Sequence, residues 1–274
     1  IEQSSDKINP LYVAAQNGFK EVVRILLDCV ETYHHDDDDM DVLPHSTLPP
    51  GMQRRARRGR RQRKKSNDLI RDHDRRSRRR SVVSVAAAVG NNDIVKMLLR
   101  SGAEVNLNQD GSEEDIIHPL FVASKKGNVD IVKSILDAGA NVNVRREKDG
   151  QTALFMTVRK GFLKVAEILL KAGADANTSN HEGHTPLCIA ARAGREDIVR
   201  ALLSHGADIH RSKGLIHASR HGHVEIVKLF LSKWKRNNRN DDVMISSACA
   251  HAKQHNQSEV LRVLMEFREG VESS

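Results

Sequence analysis

The stretch that decides the fold runs from His184 to Asp208 and reads HTPLCIAARAGREDIVRALLSHGAD. Thr185 stands where a side-chain oxygen can accept from the free N–H groups that open a helix. Pro186 follows in the first turn, where its missing N–H costs nothing. Ala190 and Ala191 are small enough for neighbouring helices to approach closely. Gly194 suits a left-handed helix stop. Beyond it, Ile198, Val199, Leu202 and Leu203 form an apolar stripe at i, i+1, i+4 and i+5 on a second helix. Gly206 can end that helix, and the Asp, Asn and Gly residues around it favour a tight turn. A single pair of short helices cannot bury such a stripe; stacking against a copy of itself can.

Copies are present. The skeleton recurs as HPLFVASKKGNVDIVKSILDAGANVN from His118 and as TALFMTVRKGFLKVAEILLKAGADAN from Thr152. Weaker copies are NPLYVAAQNGFKEVVRILLDCV from Asn9, SVVSVAAAVGNNDIVKMLLRSGAEVN from Ser81 and GLIHASRHGHVEIVKLFLS from Gly214. The mid-copy glycines are Gly18, Gly90, Gly127, Gly161, Gly194 and Gly222, spaced by 72, 37, 34, 33 and 28 residues. The first spacing is about one repeat plus an insertion. A seventh, polar copy fits Ser247 to Met265, with Asn256 in the glycine position, as expected for a capping repeat with a wet outer face.

This pattern resembles the ankyrin repeat, with its T-P-L-H-x-A-A, central Gly, I-V-x-x-L-L and G-A-D-x-N elements. The resemblance covers about residues 8–30 and 81–265. Only the Thr185 copy has the full Thr-Pro-Leu, and Cys188 replaces the family's His there. The resemblance implies an all-α solenoid of stacked helix-turn-helix units with β-hairpin-like loops. It also implies a concave groove that binds other proteins, and no catalysis. The expected organisation is a first repeat over 1–30, an insertion over 31–80, and repeats two to seven over 81–274. The first copy lacks most of the preceding hairpin and starts at Ile1, which suggests further repeats upstream.

The insertion explains the charge. The 274 residues hold 44 Lys and Arg against 36 Asp and Glu, a formal net charge of +8. Fifteen of the basic residues and three of the acidic ones lie between Arg54 and Arg80, so that segment carries +12 and the remainder −4. HHDDDDMD from His34 to Asp41 precedes it. Dense charge with few aliphatics cannot bury enough apolar surface to offset chain ordering, so disorder is expected over 31–80. The first basic cluster comprises Arg54, Arg55, Arg57, Arg58, Arg60, Arg61, Arg63, Lys64 and Lys65. With the second, from Arg71 to Arg80, it resembles a bipartite nuclear import signal. The same composition could bind nucleic acid or another polyanion by counterion release. No aromatics interleave with the arginines, so there is no base-stacking platform and such binding would be sequence-blind.

Other classes are disfavoured. No run of about 18 apolar residues crosses a membrane. Cys29, Cys188 and Cys249 are odd in number and far apart, so an intracellular setting, cytoplasmic or nuclear, is expected. There is no phosphate-binding glycine loop, no G-x-S-x-G, no H-E-x-x-H and no CxxC, and no enzyme is expected. His34, His35 and the Asp36–Asp39 run are contiguous rather than spaced for coordination, so neither metal nor cofactor is assigned.

The candidate binding residues lie within the repeats. In ankyrin-like units the two residues before the central Gly end the inner helix and face the groove. In copies three to six they are Lys125-Lys126, Arg159-Lys160, Arg192-Ala193 and Arg220-His221. Six of these eight are Lys or Arg, where the chain average gives about one. Cations there complement the helix dipole, and they would also receive an acidic segment of a protein partner. The hairpin tips, among them Lys148, His181 and His184, are a second candidate surface. Ser81 follows three arginines, an arrangement resembling the preference of basophilic kinases, and also stands at a helix cap. Asn106, Asn143 and Asn177 are turn residues of a type that asparaginyl hydroxylases modify in repeats resembling these. The leading expectation is a non-catalytic scaffold that binds a protein partner. The alternatives are polyanion binding through the insertion, or a targeting module of a larger enzyme.

Overall fold

The computed structural model describes residues 9–35, 81–106, 118–234 and 239–269. The Arg-rich clusters and the Asp36–Asp39 run lie outside these residues. The described part divides into two compact units, Ile1–Ala140 and Asn141–Ser274.

The first unit contains three helix pairs. These are α1 (Pro10–Gln16) with α2 (Lys20–His35), α3 (Val82–Val89) with α4 (Asn92–Arg100), and α5 (Pro119–Lys126) with α6 (Val129–Asp137). First helices pack on first helices and second on second. The second unit repeats the plan four times. Its pairs are α7 (Ala153–Lys160) with α8 (Leu163–Lys171) and α9 (Pro186–Arg192) with α10 (Glu196–Ser204). They continue with α11 (Gly214–His221) and α12 (Val224–Lys233), then α13 (Arg239–Gln254) and α14 (Ser258–Glu269).

The repeated sequence positions become repeated core positions. Ile94, Val95 and Leu98 on α4 are fully buried, as are Ile131, Val132 and Ile135 on α6. In the second unit the same register buries Val165, Ala166 and Leu169, then Ile198, Val199 and Leu202, then Ile226, Val227 and Phe230. Leu203, the fourth member of the expected stripe, is only half-buried. Each large aliphatic so buried contributes about 1.5–3 kcal/mol. The small residues Ala86, Ala87, Ala123, Ala190, Ala191 and Ala218 are solvent-inaccessible on the first helices.

The ends of the helices follow local chemistry. Thr185 Oγ1 accepts from the Cys188 N–H at 3.2 Å, and Thr152 Oγ1 from the Phe155 N–H at 3.2 Å. Ser81 does the same for Ser84, although its copy lacks Thr-Pro-Leu. Gly194 has φ +69° and Gly161 φ +85°, the left-handed stop that the sequence suggests. Asn256 has φ 57° and is the one non-glycine residue in that region among those described. It fills the glycine position of the seventh copy because asparagine tolerates the left-handed region better than other residues.

One boundary differs from expectation. Helix α2 continues to His35, five residues into the stretch assigned to the insertion. The reason is Val30. It occupies the register of Gly206 in the fifth copy, and a β-branched residue cannot take the left-handed stop without strain. The helix therefore runs on. The hairpin-like loops are formed by short backbone pairings, with Arg146 N–H to Gln151 O at 2.9 Å and Asn180 N–H to His184 O at 2.9 Å.

Candidate functional site

The first helices α1, α3, α5, α7, α9 and α11 contain no Asp or Glu. They are buried along most of their length, and an unpaired carboxylate there would be costly. What charge they carry is positive and sits in the last turn. Lys125 and Lys126 end α5 in the first unit, and both are exposed. In the second unit Arg159 and Lys160 end α7, Arg192 ends α9, and Arg220 and His221 end α11, all exposed. Within that unit these helices are stacked neighbours.

Compensation of charge is uneven. Among the described residues, every ion pair lies on second helices or in hairpin loops. Lys20 pairs with Asp93 at 2.7 Å, Arg200 with Glu196 at 2.5 Å and Lys228 with Glu225 at 2.8 Å. Arg262 bridges Glu259 and Glu266 on α14. None of the six lysines and arginines at the first-helix ends is ion-paired among the described residues. Arg159 Nη2 instead donates to Met156 Sδ at 3.0 Å, and its field reaches Asp149. His221 lies near Arg220, Arg192 and His223, and burial together with those charges holds its imidazole below the ordinary value.

The hairpin tips of the second unit are more engaged than the sequence suggests. Arg146 makes a bidentate ion pair with Asp149. Arg145 Nη2 donates to Ser179 O at 2.9 Å, and the His181 N–H donates to Asp149 O at 2.9 Å, so successive tips are tied together. Gly150 is required there. Its φ is +69°, and an added Cβ would lie 2.5 Å from His181 Cδ2. Lys148 and His181 remain exposed, while His184 is half-buried with Nδ1 3.1 Å from Glu182 Oε2.

The turn asparagines are structural clamps. Asn143 Nδ2 donates to Gly173 O at 3.1 Å, and its Oδ1 accepts from the Asp175 N–H at 2.9 Å. Asn177 does the same to Gly206 O at 2.9 Å and the Asp208 N–H at 2.8 Å. Asn106 reaches Gly139 O at 2.9 Å. Each ties one repeat to the terminal turn of the next. Ser81, at 1% exposure, is committed to its cap and lies 3.0 Å from Ser84 Oγ. A kinase could reach it only if that turn opened.

One constellation escaped the sequence. His184, Cys188 and His217 each bring a ligand-type atom within 4.8 Å of the others. Their separation along the chain conceals this. His217 falls in the register of Ile189 one repeat earlier, so stacking by one repeat brings it beside α9. Overlaying the copies in register would have shown the pairing. Burial pushes the Cys188 thiol up to about 11, and burial with the nearby Arg192 charge brings His217 down to about 4.

Comparison with known proteins agrees with this geometry. Residues 120–213 match the ankyrin repeats family (three copies), and residues 80–110 match the ankyrin repeat. Residues 80–110 and 120–213 carry ankyrin repeats. Copies one, six and seven lie outside the matched ranges, yet each forms the same helix pair. A 2-5A-dependent ribonuclease of Mus musculus is 44% identical over 66 residues, which is 24% of this chain and 9% of that protein. The chain therefore covers less than a tenth of the length of this relative. Ankyrin repeats of this kind are typically non-catalytic and mediate protein–protein interaction. Among the described residues, no helix is long and apolar enough to cross a membrane.

Proposed function

We propose that this chain is a non-catalytic scaffold whose first-helix ends receive an acidic segment of a protein partner. The supporting observation is the uncompensated charge. Lys125, Lys126, Arg159, Lys160, Arg192 and Arg220 have no ion-pair partner among the described residues, whereas the ion pairs present gather on second helices and hairpins. Each cation gains about 0.3–1 kcal/mol from the helix dipole, which accounts for a positive residue there but not for two in succession on α5 and α7. Arg192, Arg220 and His221 extend the same register, with Lys148, His181 and His184 on the loops as a secondary contact set. Exposed cations attract a partner from a distance and lose that advantage in salt.

A second reading is supported by the +12 charge between Arg54 and Arg80, which suits a polyanion. The ribonuclease relative makes a targeting module within a larger enzyme a further variant of the scaffold reading. Deleting residues 50–80 separates protein binding from polyanion binding. Affinity capture from cell extract should retain a protein partner after the deletion, weaken between low and high salt, and lose RNA. Loss of the protein partner together with RNA would contradict the proposal.

A further inference from the structure

We propose that His184, Cys188 and His217 form a binding site for a thiophilic divalent metal ion, with Zn²⁺ as the fitting probe. The three residues lie within one unit and join two stacked repeats: His184 and Cys188 flank the start of α9, and His217 lies on α11. Two imidazoles and a thiol are a borderline-soft donor set of the kind zinc prefers. Their ligand-type atoms are mutually within 4.8 Å. Metal–ligand bonds of about 2.0–2.3 Å put tetrahedral ligands about 3.5 Å apart, so closure by at most about 1.3 Å completes the set.

Two further observations favour a ligand there. His217 Nδ1 is buried and has no hydrogen-bond partner among the described residues. A buried ring nitrogen left in that condition is costly unless something occupies it. In addition, Glu182 Oε2 lies 3.1 Å from His184 Nδ1. With Nδ1–H donated to the carboxylate, Nε2 carries the lone pair, and a carboxylate behind a histidine is the usual way a metal-binding imidazole is oriented. Arg192 and Lys213 act on Cys188, and Arg192 and Arg220 on His217, and they oppose a cation. The Cys188 thiolate and the Glu182 carboxylate offset them. On binding, the metal–sulfur bond forms as the S–H bond breaks, and the proton passes to solvent. Three protein ligands leave a fourth position for water.

The test uses the full chain with Co²⁺ as a spectroscopic probe and Zn²⁺ as competitor. One equivalent of Co²⁺ should give a thiolate charge-transfer band that Zn²⁺ displaces, and Zn²⁺ should raise the melting temperature. Cys188→Ala should abolish the band. His217→Ile restores the residue found at the same register as Ile189, so it keeps the fold, and it should lose the one-to-one binding. Glu182→Gln should weaken binding about 10–100-fold. A variant lacking residues 34–41 should keep the band. Absence of a thiolate band in the wild type would overturn the proposal. So would a band that persists in Cys188→Ala, which assigns it to Cys29 or Cys249, or an affinity unchanged in His217→Ile with helicity intact.

Discussion

The residues that stop and start helices carry much of the specification, and one of them is a poor fit. His118 occupies the cap position that Thr152 and Thr185 fill in the next two copies, and it makes no capping hydrogen bond. It is buried, its Nε2 is unpartnered among the described residues, and burial holds its imidazole below the ordinary 6.5. The folded state therefore binds fewer protons than the unfolded chain just below pH 6.5. The stability from the neutral ring is complete above that value and falls as the pH drops through the lowered folded value. His118→Thr should raise stability by about 1 kcal/mol through the restored cap and flatten that acid-side loss, read by denaturant unfolding at pH 7 and pH 5. Ser219 is a second mismatch. It is inaccessible, its hydroxyl has no partner among the described residues, and it stands in the register of Ala191. Ser219→Ala should stabilise by up to about 1 kcal/mol, visible as a higher denaturation midpoint at unchanged slope. Thr185, Gly194 and Asn256 were legible in the sequence because a cap or a left-handed stop is a local matter of a few atoms. The Cys188–His217 approach was not, because it depends on how far one repeat is displaced against the next.

At the level of elements, the helix pairs repeat as their apolar spacing predicts, and the departures have local causes. Helix α2 outruns its expected end because Val30 replaces the glycine stop. The loops are less free than their polarity suggests: the His181 ring packs on Gly150, and Arg145 spans to Ser179. Such contacts depend on side chains from two repeats and could not be read from either alone. The turn asparagines show the same limit. Their place in G-A-x-x-N was plain, whereas their role as two-bond bridges depends on where stacking puts the following turn. Asn177→Ala removes a donor and an acceptor to the next repeat and should cost about 1–2 kcal/mol, two hydrogen bonds at a partly exposed site. Asn177→Asp keeps the acceptor for the Asp208 N–H but loses the donor to Gly206 O, so it should fall between the two in thermal unfolding.

For the whole molecule, the net charge of +8 is the sum of a +12 segment and a remainder at −4. On that mildly acidic remainder, α1, α3, α5, α7, α9 and α11 are free of acids, and α5, α7, α9 and α11 end in cations that make no ion pair among the described residues. The binding proposal rests on this uneven compensation. It also predicts that salt should act on partner affinity without altering the fold, since the buried stripes are apolar. The measurement that bears most directly on it is partner affinity of the intact chain against a variant with Lys126→Glu, Arg159→Glu and Arg192→Glu, with helicity and melting checked for both. The expected result is at least a tenfold loss of affinity, shrinking as salt is raised, with folding retained. Equal affinity of the two proteins at low salt, with both folded, would contradict it.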